Sequence, residues 1–327
     1  MRKATVLAMC AVLAILSAGI PAGAGETIEL KWYQPEPAGH PWTDVGQLIC
    51  DEIDRVSNGR LKLIQYPAGQ LGSQLEALEM LRVGSLAFLT SGPAVLNSFD
   101  ERVQVFGIPY LVKSREHAYR IIDSKTGQDL FNTHVLQRSG VRTIQFWFFG
   151  TRTLSINREV NTPADLANAK VRCMDMPIYK DSVASLGANP TPITFSELYL
   201  ALQTGVVDGQ ENPISTIYAQ KYFEVQKYIV LTNHIHHMGT VHVSEMIWRR
   251  LAEADRKLIM DVFDKFRPVI DERIEKDTME KLELMKKGGT RIITPDVEAF
   301  RKHSLDYMMG IYGEKWGDLI KAIQALE

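Results

Sequence analysis

Two arginines are placed where a charge needs a reason. Arg152 stands in "FFGTRTLS", just after the aromatic run Trp147–Phe149 and beside Gly150, and Arg172 stands among apolar neighbours in "KVRCM". A guanidinium offers a planar fork of donors that holds a carboxylate through two parallel hydrogen bonds. Further on, the chain spends Gln210, Glu211 and Asn212 in "GVVDGQENP". There Asn212 and Pro213 are expected to open a helix, whose backbone N–H groups and dipole favour an anion. Together these residues suit contact with an anion such as a carboxylate.

Motifs for bond-breaking chemistry are scarce. The chain has no Gly-x-Ser-x-Gly elbow, no phosphate loop, no Gly-x-Gly-x-x-Gly after a strand and no His-Glu-x-x-His. "NHIHHMGTVHV" is the one run resembling metal ligands. An extended backbone would send His234 and His236 to one face, but no Cys, Asp or Glu completes a set at zinc-like spacing. The reading is therefore partly exposed histidines, with neither metal nor cofactor expected.

Positioning such residues requires a scaffold, and the hydrophobic pattern supplies one. "IELKWYQ" reads as a strand and Pro41 opens a helix that Asn58 and Gly59 stop. "LKLIQYP" is a second strand, "LGSQLEALEMLRVG" an amphipathic helix ended by Gly84, and "LAFLT" a third strand. This alternation predicts an α/β fold with helices covering a mainly parallel sheet. A helical stretch over 114–138 follows, then a strand in "VRTIQFWFFGTRTLSIN", a helix opening at "NTPADL", a strand in "KVRCM" and helices in "PIYKDSVASLG" and "SELYLALQTG". "VVDG", "KYIVLT" and "TVHVSEM" read as three further strands. The charged, Gly-free segment 253–287 predicts a long helix kinked at Pro268, and "TRIIT" and two terminal helices finish the chain.

The ends and the composition set the compartment. Arg2 and Lys3, the apolar run Ala4–Leu16 and the small residues Ala22-Gly23-Ala24 form an export signal, too short to span a membrane. Cleavage near Ala24 would leave a net charge of about −4, from 37 basic and 39 acidic residues in the whole chain. Nucleic acid is no partner for such a surface. Cys10 lies in the apolar run after Met9, a poor lipoprotein site, while Cys50 and Cys173 read as two buried thiols. About 300 mature residues favour two domains.

"ANPTPITFSELYLALQTGVVDGQENP", "GTR" at Gly150–Arg152, "KVR" at Lys170–Arg172 and "YPAGQLGSQLEALEMLRVG" together closely resemble the extracytoplasmic solute receptors of tripartite ATP-independent periplasmic (TRAP) transporters. The likeness is to the C4-dicarboxylate-binding type and runs over nearly the whole mature chain. It implies a two-lobed periplasmic binding protein, α/β with mixed, mainly parallel sheets, that closes on an organic acid and delivers it to a membrane permease. Residues 25–148 plus 236–265 would form one lobe and 149–235 plus 266–327 the other, with helix 253–287 spanning both and 1–24 as the signal peptide. By motif, Arg172 is similar to the family arginine that makes the main salt bridge to the ligand carboxylate. Arg152 resembles the second cationic contact and Asn212 the supporting amide.

The other lobe should read the rest of the ligand. His40 in "AGHPW" and Gln70 and Gln74 in "GQLGSQLE" follow strand ends, where open α/β sheets bind ligands. With Glu211 they suit a polyhydroxylated acid, because hydroxyls need both donors and acceptors. Trp147 and Phe149 can supply a stacking wall. A sugar acid such as a hexuronate or aldonate is favoured; a C4-dicarboxylate or a 2-hydroxy or 2-oxo acid stays open. An exported hydrolase or metal-dependent enzyme on the same scaffold is the reading from another class.

Overall fold

The computed structural model describes residues 27–327. The signal-peptide reading and Cys10 concern residues 1–26, outside those described. The first half follows the expected alternation: β1 (Ile28–Tyr33), α1 (Pro41–Val56), β2 (Leu61–Tyr66), α2 (Gln74–Arg82) and β3 (Phe88–Ser91). His40 caps α1, its Nδ1 accepting from the Trp42 N–H at 3.2 Å, with Pro41 at the first helical position. Ser73 and Glu76 form a reciprocal capping box on α2.

The stretch expected as one helix over 114–138 is instead broken. It comprises α3 (Arg115–Asp123), α4 (Lys125–Gln128), a π-helical turn (Asp129–Val135) and α5 (Leu136–Ser139). Next come β4 (Val141–Ile156), β5 (Lys170–Cys173), α6 (Pro177–Ser185), β6 (Asn189–Pro192), α7 (Leu198–Gln203), β7 (Gly209–Pro213), α8 (Ile214–Ala219), β8 (Tyr228–Ser244) and α9 (Glu245–Arg250). α10 (Glu253–Lys287), β9 (Arg291–Ile293) and α11 (Val297–Gln324) complete the described chain.

One nine-stranded sheet runs in the order β2-β1-β3-β8-β4-β7-β5-β6, with β9 beside β8. The outer pairs β1–β2, β1–β3, β5–β6 and β5–β7 are parallel, whereas each antiparallel pair involves β4 or β8. These two long strands pass from one half of the molecule to the other, so no flexible linker is needed. "KYIVLT" and "TVHVSEM", expected as separate strands, are the ends of β8: between them residues 235–237 pair with β4, while residues 231–234 bulge opposite Thr153. The short strand expected at "VVDG" lies later, at Gly209–Pro213, since Val206–Asp208 form the turn out of α7.

α10 covers the predicted range and packs against α1, β4 and α8, touching both halves. Its 35 residues extend about 50 Å. The helix is unbroken at Pro268. Asp264 and Pro268 are both exposed, so water can hydrate the carbonyl that proline leaves unpaired. The two terminal helices are joined as α11 across a break at Trp316, whose φ is −122°. Apolar burial divides into a large core around Trp32, Phe88, Trp147 and Phe263 and a smaller one around Leu198, Ile217, Tyr222 and Met285. Cys50 and Cys173 are free and buried.

Candidate functional site

A cleft of about 570 Å³, counting its open mouth, lies where the loops after β1 and β3 meet β4, β5, β7 and β8. Trp42, Val95, Phe149, Met174, Met176 and Phe195 give it apolar walls; Glu36, Gln74, Arg152, Arg172, Tyr179, Asn212 and His237 supply polar groups.

Arg152 enters from β4 and is 1% exposed. Its Nε bonds Glu211 Oε2, and its Nη2 donates to Glu211 Oε1 at 2.8 Å, to the Glu211 carbonyl at 2.7 Å and to Asn212 Oδ1 at 3.0 Å. Nη1 donates to His237 Nδ1 at 2.9 Å. Burial by itself would raise the Glu211 carboxyl. The Arg152 charge and hydrogen bonds from His234 and Arg152 outweigh that and hold it at about 2. This guanidinium is therefore neutralised within the protein.

Arg172 differs. It is 2% exposed on β5, and Nε donates to the Ile193 carbonyl at 2.8 Å. Among the described residues no carboxylate pairs with it, and Nη1 and Nη2 have no protein acceptor. Burial pushes its pKa down, yet an arginine stays charged near neutrality. A desolvated cation with idle donors calls for an anion.

Asn212 holds its place because β7 pairs with β4, setting it opposite Thr153. It belongs to a buried strand and not to a helix start, as was expected, and α8 begins only at Ile214. Its Nδ2 donates to Gln210 Oε1 at 2.6 Å, which leaves one N–H of that amide unspent.

His237 was not singled out by sequence, and its chemistry follows from its neighbour. Arginine can only donate, so Nδ1 must accept and the proton resides on Nε2. Burial first, then the Arg152 charge, drive its pKa well down and keep the ring neutral. Nε2 is buried without a partner and stands beside Gly92, where an added Cβ would come within 3.0 Å. Tyr179 adds a hydroxyl with no protein partner, its pKa pushed up to about 12 by burial.

Other expected site residues sit elsewhere. His40 is buried as the cap of α1, its ring 5.4 Å from Phe149, and does not line the cleft; burial lowers its pKa to about 3. Gln70 faces solvent from a turn held by Gly69 and Gly72 at positive φ. Glu211 turns to Arg152 and His234, so it braces the cleft from behind. Trp147 is fully buried, 5.8 Å from Phe263 in the core. β4 carries a β-bulge just beyond Trp147. Phe148 pairs with Met238 and Gly150 with His237, so Phe149 is an extra residue in β4; it lines the cleft, and both it and Trp147 pack on Trp42. His234, His237 and His242 are buried rather than partly exposed, and no metal-ligating cluster occurs among the described residues.

Comparison with known proteins places this architecture. Residues 34–314 match the family described as bacterial extracellular solute-binding protein, family 7. The chain belongs to this family of TRAP solute-binding proteins. The family-7 protein is 31% identical over 290 residues to the sialic acid-binding periplasmic protein of Vibrio cholerae serotype O1, covering 89% of this chain and 90% of that one. It shares 30% identity and a TM-score of 0.85 with a TRAP periplasmic solute binding protein from Polaromonas sp. JS666 bound to D-erythronate, over 92% and 99% of the two chains. A Roseobacter denitrificans OCh 114 counterpart with bound L-galactonate matches at 25% identity and a TM-score of 0.86, over 91% and 99%. The family-7 protein thus has the two-lobed α/β fold of these receptors, and no helix among its described residues is long and apolar enough to cross a membrane.

Proposed function

We propose that this receptor captures an organic acid, a sugar acid in preference, by closing its lobes, and hands it to a TRAP membrane permease. The observation that carries this reading is Arg172, a buried cation whose Nη1 and Nη2 donors open on the cleft without a protein acceptor. Arg172 makes the main ion pair with the ligand carboxylate. Arg152 adds its remaining Nη1 hydrogen and Asn212 its free amide hydrogen, both held in place before ligand arrives. Preorganisation of this kind avoids the cost of orienting donors at the moment of binding. Gln74 reaches the ligand from the opposite side. Sialic acid, D-erythronate and L-galactonate, bound by relatives, are hydroxylated acids, which supports a sugar acid; other relatives take C4-dicarboxylates or 2,3-diketo-L-gulonate.

The lobes are 25–148 plus 236–265 and 149–235 plus 266–327. The bulge at Phe149 falls where β4 leaves the first lobe, and α10 runs along both. A ligand touching both lobes shifts the open–closed equilibrium only by its preference for the closed form, which the permease then reads. Residues 1–24 direct export to the periplasm and are removed near Ala24.

A thermal-shift screen of carboxylic acids tests the reading, since a ligand at 100 times its Kd adds about 2.7 kcal/mol. Arg172→Ala, folded by circular dichroism, should lose the shift for the best acid. Binding that survives the substitution refutes the anchor, and turnover of uronates by the pure protein refutes the receptor role.

A further inference from the structure

The loop after β1 brings a second buried charge to the cleft, on the far side of the β8–β4 pair from Arg172. Glu36 is 2% exposed; its Oε1 accepts from Thr216 Oγ1 at 3.2 Å, while Oε2 is buried with no hydrogen-bond partner. Its backbone is pinned, because the Ala68 N–H and the Thr43 hydroxyl both donate to its carbonyl, at 3.0 and 2.9 Å. Among the described residues lining the cleft, Glu36 is the only acid and Arg152 and Arg172 are the only arginines or lysines.

Charge accounting then assigns the two ends different tasks. Glu211 already matches Arg152, so a single ligand carboxylate satisfies Arg172. A second carboxylate near Glu36 would meet a like charge in a buried position, whereas a hydroxyl there would supply the donor that Oε2 lacks.

We propose that Glu36 determines specificity: its free oxygen accepts from a hydroxyl of a monocarboxylate held by Arg172, and it turns away acids with a carboxylate at both ends. This rests on the organic-acid reading of the cleft.

The surroundings of Glu36 make the discrimination sensitive to pH. Burial raises its carboxyl to about 7, against the opposing influence of Thr216, Gln220 and the Arg152 charge. Gln220 lies near enough to favour the charge but makes no well-formed hydrogen bond to it. Tyr33 on β1, Tyr222 after α8 and His40 beside Thr216 also face it. Burial keeps both tyrosines protonated and His40 neutral, so none of them supplies a counter-charge. Glu36 is thus largely ionised at pH 8 and largely protonated at pH 6.

Isothermal titration with two length-matched pairs tests this: D-erythronate against L-tartrate, and D-gluconate against D-glucarate. At pH 8 the monoacid of at least one pair should bind ten-fold or more tighter than its diacid. That ratio should fall about ten-fold in Glu36→Gln, and also in the unmutated protein at pH 6. The pH comparison keeps the test decisive if the variant fails to fold. An unchanged ratio, with binding still dependent on Arg172, overturns the role of Glu36 alone. Failure of all four acids to bind overturns the organic-acid reading and this inference with it.

Discussion

Arg152 and Glu211 form a buried ion pair, each side chain 1% exposed, with Nη2 2.8 Å from Oε1. They sit diagonally across β4 and β7, since Leu154 is the residue opposite Glu211. The pair cancels one of the two cleft arginines and leaves Arg172 as the one without a carboxylate partner among the described residues.

Removing the acid should therefore expose a buried cation. Glu211→Gln keeps the shape but leaves Arg152 beside two histidines, His234 and His237, whose pKa values burial lowers. Breaking a buried pair from one side costs about 3–5 kcal/mol. Urea unfolding measures this, and a variant as stable as the parent would show that Glu211 does not compensate the charge.

Glu36 makes the opposite prediction for stability. Its folded pKa, about 7, stands above its ordinary 4.5, so the native state binds more protons than the unfolded state between those values. Stability contributed by this group is complete below pH 4.5 and is lost as pH rises to 7, by about 3 kcal/mol. The buried His40 and His242, both lowered to about 3, act in the reverse sense as pH falls below 6.5. Glu36→Gln leaves those unchanged. The stability of the variant relative to the parent should thus rise between pH 5 and pH 8, and a flat difference in urea melts would contradict the buried acid.

Gly239 on β8 has a steric duty. A Cβ there would lie 1.4 Å from the Trp42 ring, so the indole packs directly on the strand backbone. Gly239→Ala must push Trp42 towards the cleft it lines or distort β8. The expected cost is about 3 kcal/mol with weakened ligand binding. Thermal unfolding and titration of the same sample check both parts, and an unperturbed variant would show that Trp42 can move aside freely.

Much of the site was legible because its residues are set by local context. Arg152 and Arg172 are costly in apolar strands unless a partner waits, and Gln74 opens a helix beside a strand end, a recurrent ligand position. Glu36 shares the "PEPAGHP" loop with His40, and of the two only Glu36 lines the cleft. Only the fold shows that His40 spends its ring capping α1 while Glu36 meets the cleft. His237 had no local signal, because which histidine of "HIHH" turns inward depends on the register of β8 against β4.

The sequence alone determined the α/β alternation, the long helix and the charge types at the cleft. Hydrophobic period, capping residues and the expense of burying a guanidinium all act over a few residues. Tertiary structure decided which charges cancel and which remain. Glu211 meets Arg152 only because β7 lies antiparallel to β4, and the extra residue that puts Phe149 at the cleft is a bulge in the pairing of β4 with β8. Both depend on pairing between distant segments, which no local pattern encodes.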